Sequence, residues 1–239
     1  MKKYQYVVSQ IQKRIENGLY PPQSLLPKQE ELASEFSVSK MTIKRALDVL
    51  THDGQIFKKS GLGTIVLGGT DLLESRDAPA NAFDGLTMQQ GSAHVTSKII
   101  RFTSTSNVPE IVYQRLSLAT TTPLYDIIRL RLLDGQPFIL EHTYMPVEMM
   151  PSLSESVVKG SIYRYLHEDL KIDFGGARRR IQAAEAMDLD VKYLGAKINT
   201  PILEIEQVVW TSLGKNIEYS KSRNLYDTRA YNIIEINDG

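Results

Sequence analysis

The sequence predicts an α+β chain in two parts, a helical N-terminal part closed by a short hairpin and a larger C-terminal part built on an antiparallel sheet. Three observations carry this. Before residue 53 the apolar residues recur every three or four positions, the spacing of one helix face. Two short β-type runs follow around the glycine-containing Ser60-Gly61-Leu62-Gly63. Beyond about residue 83 the apolar residues fall instead into a series of strand-length runs.

The elements can be taken in order. Residues 4–17 place Val7, Ile11 and Ile15 on one stripe, and Gly18 ends that first helix. Three prolines in LYPPQSLLP exclude helix and suit a tight connection. Lys28 to Phe36 reads as a short second helix, with Leu32, Ala33 and Phe36 apolar, interrupted at Ser37-Val38-Ser39. Ser39 is an N-cap for a third helix from Lys40 to His52, whose apolar stripe is Ile43, Ala46, Leu47 and Leu50. Its other side carries Lys40, Thr42, Lys44 and Arg45. Gln55–Lys59 and Thr64–Leu67 form the hairpin. The polar stretch of residues 70–82 reads as a linker. In the second part, strands are expected at Val95–Phe102, Ile111–Leu118, Leu124–Leu133, Phe138–Met145, Ile202–Thr211 and Tyr231–Ile236, with a further one beginning near Glu218. Helices are expected near residues 146–151, 154–170 and 186–196.

Composition bounds what such a chain does. At 239 residues and 42% hydrophobic content it exceeds one helix-turn-helix module, so two domains are expected, residues 1–69 and 83–239. There is no apolar run of about 18 residues and no secretory leader pattern, which predicts a cytoplasmic protein without a membrane partner. With no cysteine, and with His52, His94, His142 and His167 at no metal-ligand spacing, no metal or other cofactor is expected. The net charge is zero, yet residues 1–69 hold ten Lys/Arg against six Asp/Glu, which makes the first part the candidate for a polyanion.

Helix, proline-rich turn, helix, short turn, helix, hairpin is the order of a winged helix-turn-helix. In that arrangement the N-terminal residues of the third helix enter the major groove of double-stranded operator DNA. The candidate DNA-binding residues are therefore Ser39, Lys40, Thr42, Lys44 and Arg45 on that helix, Lys28 at the start of the second, and Lys59, Gly61 and Gly63 in the wing. The stretch LLPKQEELASEFSVSKMTIKRALDVLTHDGQIFKKSGLGTIV resembles the signature of the GntR superfamily of bacterial regulators, over roughly residues 4–67. By that resemblance Lys40, Thr42, Lys44, Gly61 and Gly63 sit where members contact DNA. Glu30, Lys40 and Lys44 stand where arginines are usual. Lysine lacks the guanidinium fork, so an operator different from the family's common one is expected.

The segments IIRLRLLDGQPFILEHTYMP, GSIYRYL and IEYSKSRNLYDTRAYNI resemble the UTRA effector-binding domain of the HutC-like branch, similar in fold to chorismate lyase, over roughly residues 83–237. Arg129 and Arg131 alternate on one strand and share a face, where two guanidiniums repel unless an anion or acid lies between them. Glu141 and Glu218 supply carboxylates from other strands. In branch members that sense sugar phosphates, the matching arginines and a serine hold phosphate and the glutamates hold sugar. The resemblance extends these roles to Arg129, Arg131, Ser161, Glu141 and Glu218, with Asn224 standing where an aromatic residue is frequent. The alternative is a structural Arg–Glu network across the sheet. Thr87-Met88-Gln89-Gln90 lacks the hydroxyl cluster expected near a phosphate. Arg178-Arg179-Arg180 reads as a solvated or ion-paired strand edge ahead of a second DNA patch.

The sequence thus predicts a homodimeric repressor of carbohydrate-uptake or catabolism genes, controlled by a small anionic effector, a sugar phosphate ahead of a carboxylate or fatty acid. The rival is an enzyme of lyase-like fold, against which no nucleophile–base pair is evident.

Overall fold

The computed structural model describes residues 3–68, 77–79, 86–91 and 93–235, without the side chains of Met88 and Gln89. Most of the expected linker, residues 70–82, lies outside them. The chain divides into two compact units, Met1–Ser75 with Asn232–Gly239, and Arg76–Tyr231.

The first unit holds α1 (Lys3–Glu16), α2 (Gln29–Glu35), α3 (Lys40–His52) and a hairpin of β1 (Ile56–Lys59) and β2 (Gly63–Val66). Its core gathers Val7 and Ile11 of α1, Leu32 of α2, Ile43, Ala46, Leu47 and Leu50 of α3, and Ile56 and Val66 of the hairpin. These are the apolar positions whose spacing marks the helices. Ser39 caps α3 by accepting from the Thr42 amide at 3.2 Å. Lys28 starts α2, where its amide donates to Glu31 Oε2 at 2.9 Å. Ser37, at φ 52°, makes the turn between α2 and α3. The hairpin pairs Ile56 with Val66 and Lys59 with Gly63, and the positive φ of Gly61 (78°) and Gly63 (123°) turns its tip. Leu50 is fully buried. Leu50→Ala is expected to cost about 2–5 kcal/mol, read as a lower midpoint in urea unfolding.

The second unit contains β3 (Ala78–Pro79), α4 (Leu86–Gln90), β4 (Val95–Thr105), α5 (Glu110–Leu116), β5 (Leu124–Leu133), β6 (Gln136–Pro146), α6 (Glu155–Lys159), α7 (Ile162–Arg164), β7 (Phe174–Glu185), α8 (Asp188–Leu194), β8 (Pro201–Thr211) and β9 (Asn216–Leu225). The short strand β10 (Tyr231–Asn232) follows. Six strands form one antiparallel sheet in the order β4-β5-β6-β9-β8-β7. One face packs under the segment from Met150 to Leu166, through Tyr125, Ile127, Met145 and Val209. The other carries α5 over Tyr144 and Tyr219, and α8 over Ile128, Leu130 and Leu140. Arg223 of β9 bonds both carboxylate oxygens of Asp190 at 3.1 Å and ties α8 to the sheet. The molecule is α+β. Among the described residues no helix is long and apolar enough to cross a membrane.

Three expectations are corrected. Residues 111–118 are not a strand: α5 buries Val112, Tyr113 and Leu116, a helical spacing, and ends at Ser117 in the left-handed region at φ 58°. The single helix expected over 154–170 is broken at Gly160-Ser161 into α6, α7 and a π-turn at Tyr165–Asp169. Of the strand expected at Tyr231–Ile236, Tyr231–Asn232 is a strand and residues 233–235 are not, while Ile236 lies outside the described residues.

Candidate DNA-binding and ligand-binding sites

The N-terminal end of α3 presents Ser39, Lys40, Lys44 and Arg45 to solvent, with Thr42 half-buried. Its residues are not equally available. The Ser39 hydroxyl is occupied by the cap and lies 2.9 Å from the Thr42 hydroxyl, so the pair fixes the helix start. Lys40 Nζ donates to Glu30 Oε1 at 2.9 Å, and this contact holds the Glu30 carboxyl below the usual carboxylate range. The Arg45 guanidinium stacks on the Tyr4 ring at 4.3 Å, bracing α3 against α1. Lys44 is exposed and has no ion pair among the described residues.

In the wing, Lys58 pairs with Asp48 of α3, while Lys59 points into solvent opposite Gly63. A Cβ at Gly61 would meet nothing within 4 Å. Lys28 is exposed at the head of α2. The unit therefore offers a 13-residue helix with a cationic leading end beside a glycine-tipped hairpin. A helix of this diameter fits the B-DNA major groove. Sequence reasoning did not foresee that Lys40 and Lys58 are already partnered by carboxylates.

The second unit places all six candidate ligand residues around one side of the sheet. Register sets Arg129 opposite Glu141, Glu141 opposite Ser222, and Arg131 opposite Ser97. Alternation along β9 then puts Glu218, Ser220 and Asn224 on that face, with Gln207 opposite Ser220 and Arg179 opposite Gln207. Ser161 belongs to the covering segment.

Arg129 Nε donates to Glu141 Oε2 at 2.6 Å and its Nη1 to the Val158 carbonyl at 2.9 Å. Arg131 is almost fully buried and donates to Ser97 Oγ and to the Gly160 carbonyl, both at 3.0 Å, and to Thr87 Oγ1. Its Nε has no hydrogen-bond partner among the described residues. Burial, with Arg129 adding repulsion, pulls the Arg131 pKa down to about 10 despite the Glu141 carboxylate, so the side chain stays charged at neutral pH. Burial alone would raise Glu141, but Arg129 and Arg131 outweigh it and hold it ionised below the usual range. Two guanidinium charges thus act on one carboxylate, which hydrogen-bonds Arg129.

Glu218 differs from Glu141. It accepts from Gln207 Nε2 at 2.8 Å and from Ser220 Oγ at 2.6 Å, yet burial raises its pKa above the ordinary 4.5. The folded chain therefore holds this proton more tightly than the unfolded one. Stability falls as pH climbs from the ordinary carboxylate range through the raised value. Glu218→Gln should remove that fall, so its stability relative to the parent should improve as pH rises above the ordinary carboxylate range. An equal offset at every pH in thermal melts would rule this out.

Asn224 is fully buried, donating to the Leu225 carbonyl at 2.9 Å while its Oδ1 lacks a partner among the described residues. Ser161 caps α7, accepting from the Arg164 amide at 3.2 Å. The Thr87 hydroxyl on Arg131, Gln207, Ser220 and the half-buried Tyr163 that accepts from Gln207 at 3.2 Å were not singled out from sequence. Period-two reading of SKSRN would have exposed Ser220 and Ser222.

Family models match both units, "Bacterial regulatory proteins, gntR family" over residues 3–66 and "UTRA domain" over residues 89–229. The chain is 35% identical over 236 residues to the HTH-type transcriptional regulator GmuR of Bacillus subtilis (strain 168), covering 99% of each. It is 25% identical to the HTH-type transcriptional repressor NagR of the same organism, over 98% of this chain and 94% of that one. The crystal structure of the possible transcriptional regulator YydK, also from Bacillus subtilis, superposes with a TM-score of 0.80 at 26% identity, covering 99% of this chain and 100% of that one.

Proposed function

This chain belongs to the gntR family of bacterial regulatory proteins and carries a UTRA domain, so it is a DNA-binding transcription regulator and not an enzyme, and from that premise we propose how it is controlled. It acts as a repressor of carbohydrate-uptake or catabolism genes. Residues 1–69 bind the operator, and residues 83–239 bind a small anionic effector, a sugar phosphate first, and hold two copies together. Lys28, Ser39, Lys40, Thr42, Lys44, Arg45, Lys59, Gly61 and Gly63 form the DNA face. Arg129, Arg131, Glu141, Ser161, Glu218 and Asn224 form the effector face.

The observation that carries the effector reading is the Arg129–Glu141 ion pair beside the buried Arg131 guanidinium, whose Nε–H has no partner among the described residues. Such donors suit a phosphate, which arginine binds through two parallel hydrogen bonds. Glu141, Glu218 and the Asn224 carbonyl are acceptors for hydroxyls alongside it. A homodimer would present two α3 helices to half-sites one DNA turn apart, and a ligand that favours one arrangement shifts operator affinity by about 1–3 kcal/mol.

A thermal-shift panel tests this. Hexose phosphates are expected to raise Tm, by mass action on the folded state, where the parent sugars do not. Stabilisation by long-chain fatty acids or carboxylates in place of phosphates would transfer the reading to those ligands. Silence across all of them would leave the second unit with no effector role.

A further inference from the structure

The outer face of the sheet holds a cleft of about 570 Å³ at its β7 edge, behind the effector face. Arg178 and Arg180 alternate with Arg179 on β7, so they point away from the Arg129–Glu141 face and into this cleft. Val208, Glu206 and Trp210 of β8 make its floor, and Arg115 and Ser117 at the end of α5 its far wall. Asn216 bonds the Arg115 carbonyl at 3.3 Å and Ser117 Oγ at 3.4 Å, fixing that wall.

Three guanidiniums face a single carboxylate, and that carboxylate is committed. Glu206 stands opposite Arg180 in the register, yet its Oε1 accepts from Arg115 Nε at 3.2 Å and from the Tyr219 hydroxyl at 3.0 Å. Arg178 and Arg180 are exposed with no ion pair among the described residues. The indole is held in place by two glycines. A Cβ at Gly176 would lie 2.2 Å from Trp210 Cζ2, and one at Gly175 would lie 2.3 Å from the Thr211 carbonyl oxygen. The ring therefore rests on bare backbone, half-buried, in the cleft that Arg178 and Arg180 also line.

We propose that this cleft is a second ligand site, for a small molecule that joins a planar ring to a phosphate, the ring stacking on Trp210 and the phosphate held by Arg178 and Arg180. The volume suits a small ligand, arginine forks match phosphate oxygens, and the tryptophan face gains from a flat partner. The site is independent of the effector face, from which the sheet separates it.

Trp210 is the only tryptophan in the chain, so its fluorescence reports on this cleft alone. Titrating the full-length protein with adenosine monophosphate is expected to quench that emission saturably. Arg178→Ala with Arg180→Ala should weaken the apparent affinity at least about tenfold, the loss expected for charge-assisted hydrogen bonds, with Tm unchanged because both side chains are exposed. Inorganic phosphate should compete, and adenosine alone should not quench. Quenching by adenosine equal to that by the monophosphate, or undiminished quenching in the double variant, would overturn the proposal. So would emission that changes with protein concentration alone, since a second copy would then cover the cleft. The hexose phosphate response of the effector face should persist in the double variant, which separates failure of this site from failure of that one.

Discussion

Replacing Lys40 and Lys44 together by alanine is expected to lower operator affinity on the order of 100-fold, with a loss of about one to three kcal/mol for each side chain that reaches a base edge or phosphate. Both residues lie on the exposed side of α3 and neither contributes to the core of Val7, Ile11, Ile43, Leu47 and Leu50. The folded state should therefore change by less than about 0.5 kcal/mol. Affinity measured against salt distinguishes the two kinds of contact. The slope of log K on log salt should become shallower by about one for each lysine that had displaced a counterion from a phosphate. A lysine that reads a base should instead relax preference at one position of the site. Unchanged affinity in a well-folded double variant would remove α3 from the DNA face.

The second large effect is expected at Arg129. Arg129→Ala should abolish the stabilisation by hexose phosphates and leave operator affinity in place. Alone, this substitution removes the hydrogen-bonded partner of Glu141 and leaves its carboxylate to the charges of Arg131 and Arg229, and breaking a pair that is only part-buried should cost somewhat less than the roughly 3–5 kcal/mol of a fully buried one. The paired variant Arg129→Ala with Glu141→Gln removes both charges and should recover part of that loss without restoring the ligand response. A hexose phosphate response that survives in the paired variant would show that the arginine–glutamate pair is structural.

The first unit was legible because its local signals and its packing agree. The stripe Ile43, Ala46, Leu47, Leu50 behind Ser39 marks α3 and also supplies the core. The second unit was legible where strands are buried on both faces, as in β5, where apolar residues surround Asp126, Arg129 and Arg131 and most positions are buried. It was obscure where a strand is polar on its buried side. β9 carries Glu218, Ser220, Ser222 and Asn224 inward and β7 carries Arg179, so neither shows hydrophobic alternation, and the six-strand order followed only from the structure. Residues 111–118 misled because EIVYQRL holds β-branched and aromatic residues whose helical spacing decides the outcome. Among the effector candidates, alternation made the shared face of Arg129 and Arg131 visible, whereas their bonds to the Val158 and Gly160 carbonyls depend on a segment distant in sequence.

The carboxylate partners of Lys40 and Lys58 bear on how such a protein finds its site. A genome presents about 10⁶–10⁹ competing stretches, and a regulator is slowed by every one on which its lysines rest equally well. On the proposed DNA face Lys40 already has an anion at hand, Glu30, and Lys58 in the wing beside it has Asp48, so an arbitrary phosphate would gain only by exchange. Residence on random sequence would then be shortened, while a matching operator, with base contacts added, would still win the exchange. Acidic neighbours of this kind would convert a modest basic surface into a selective one.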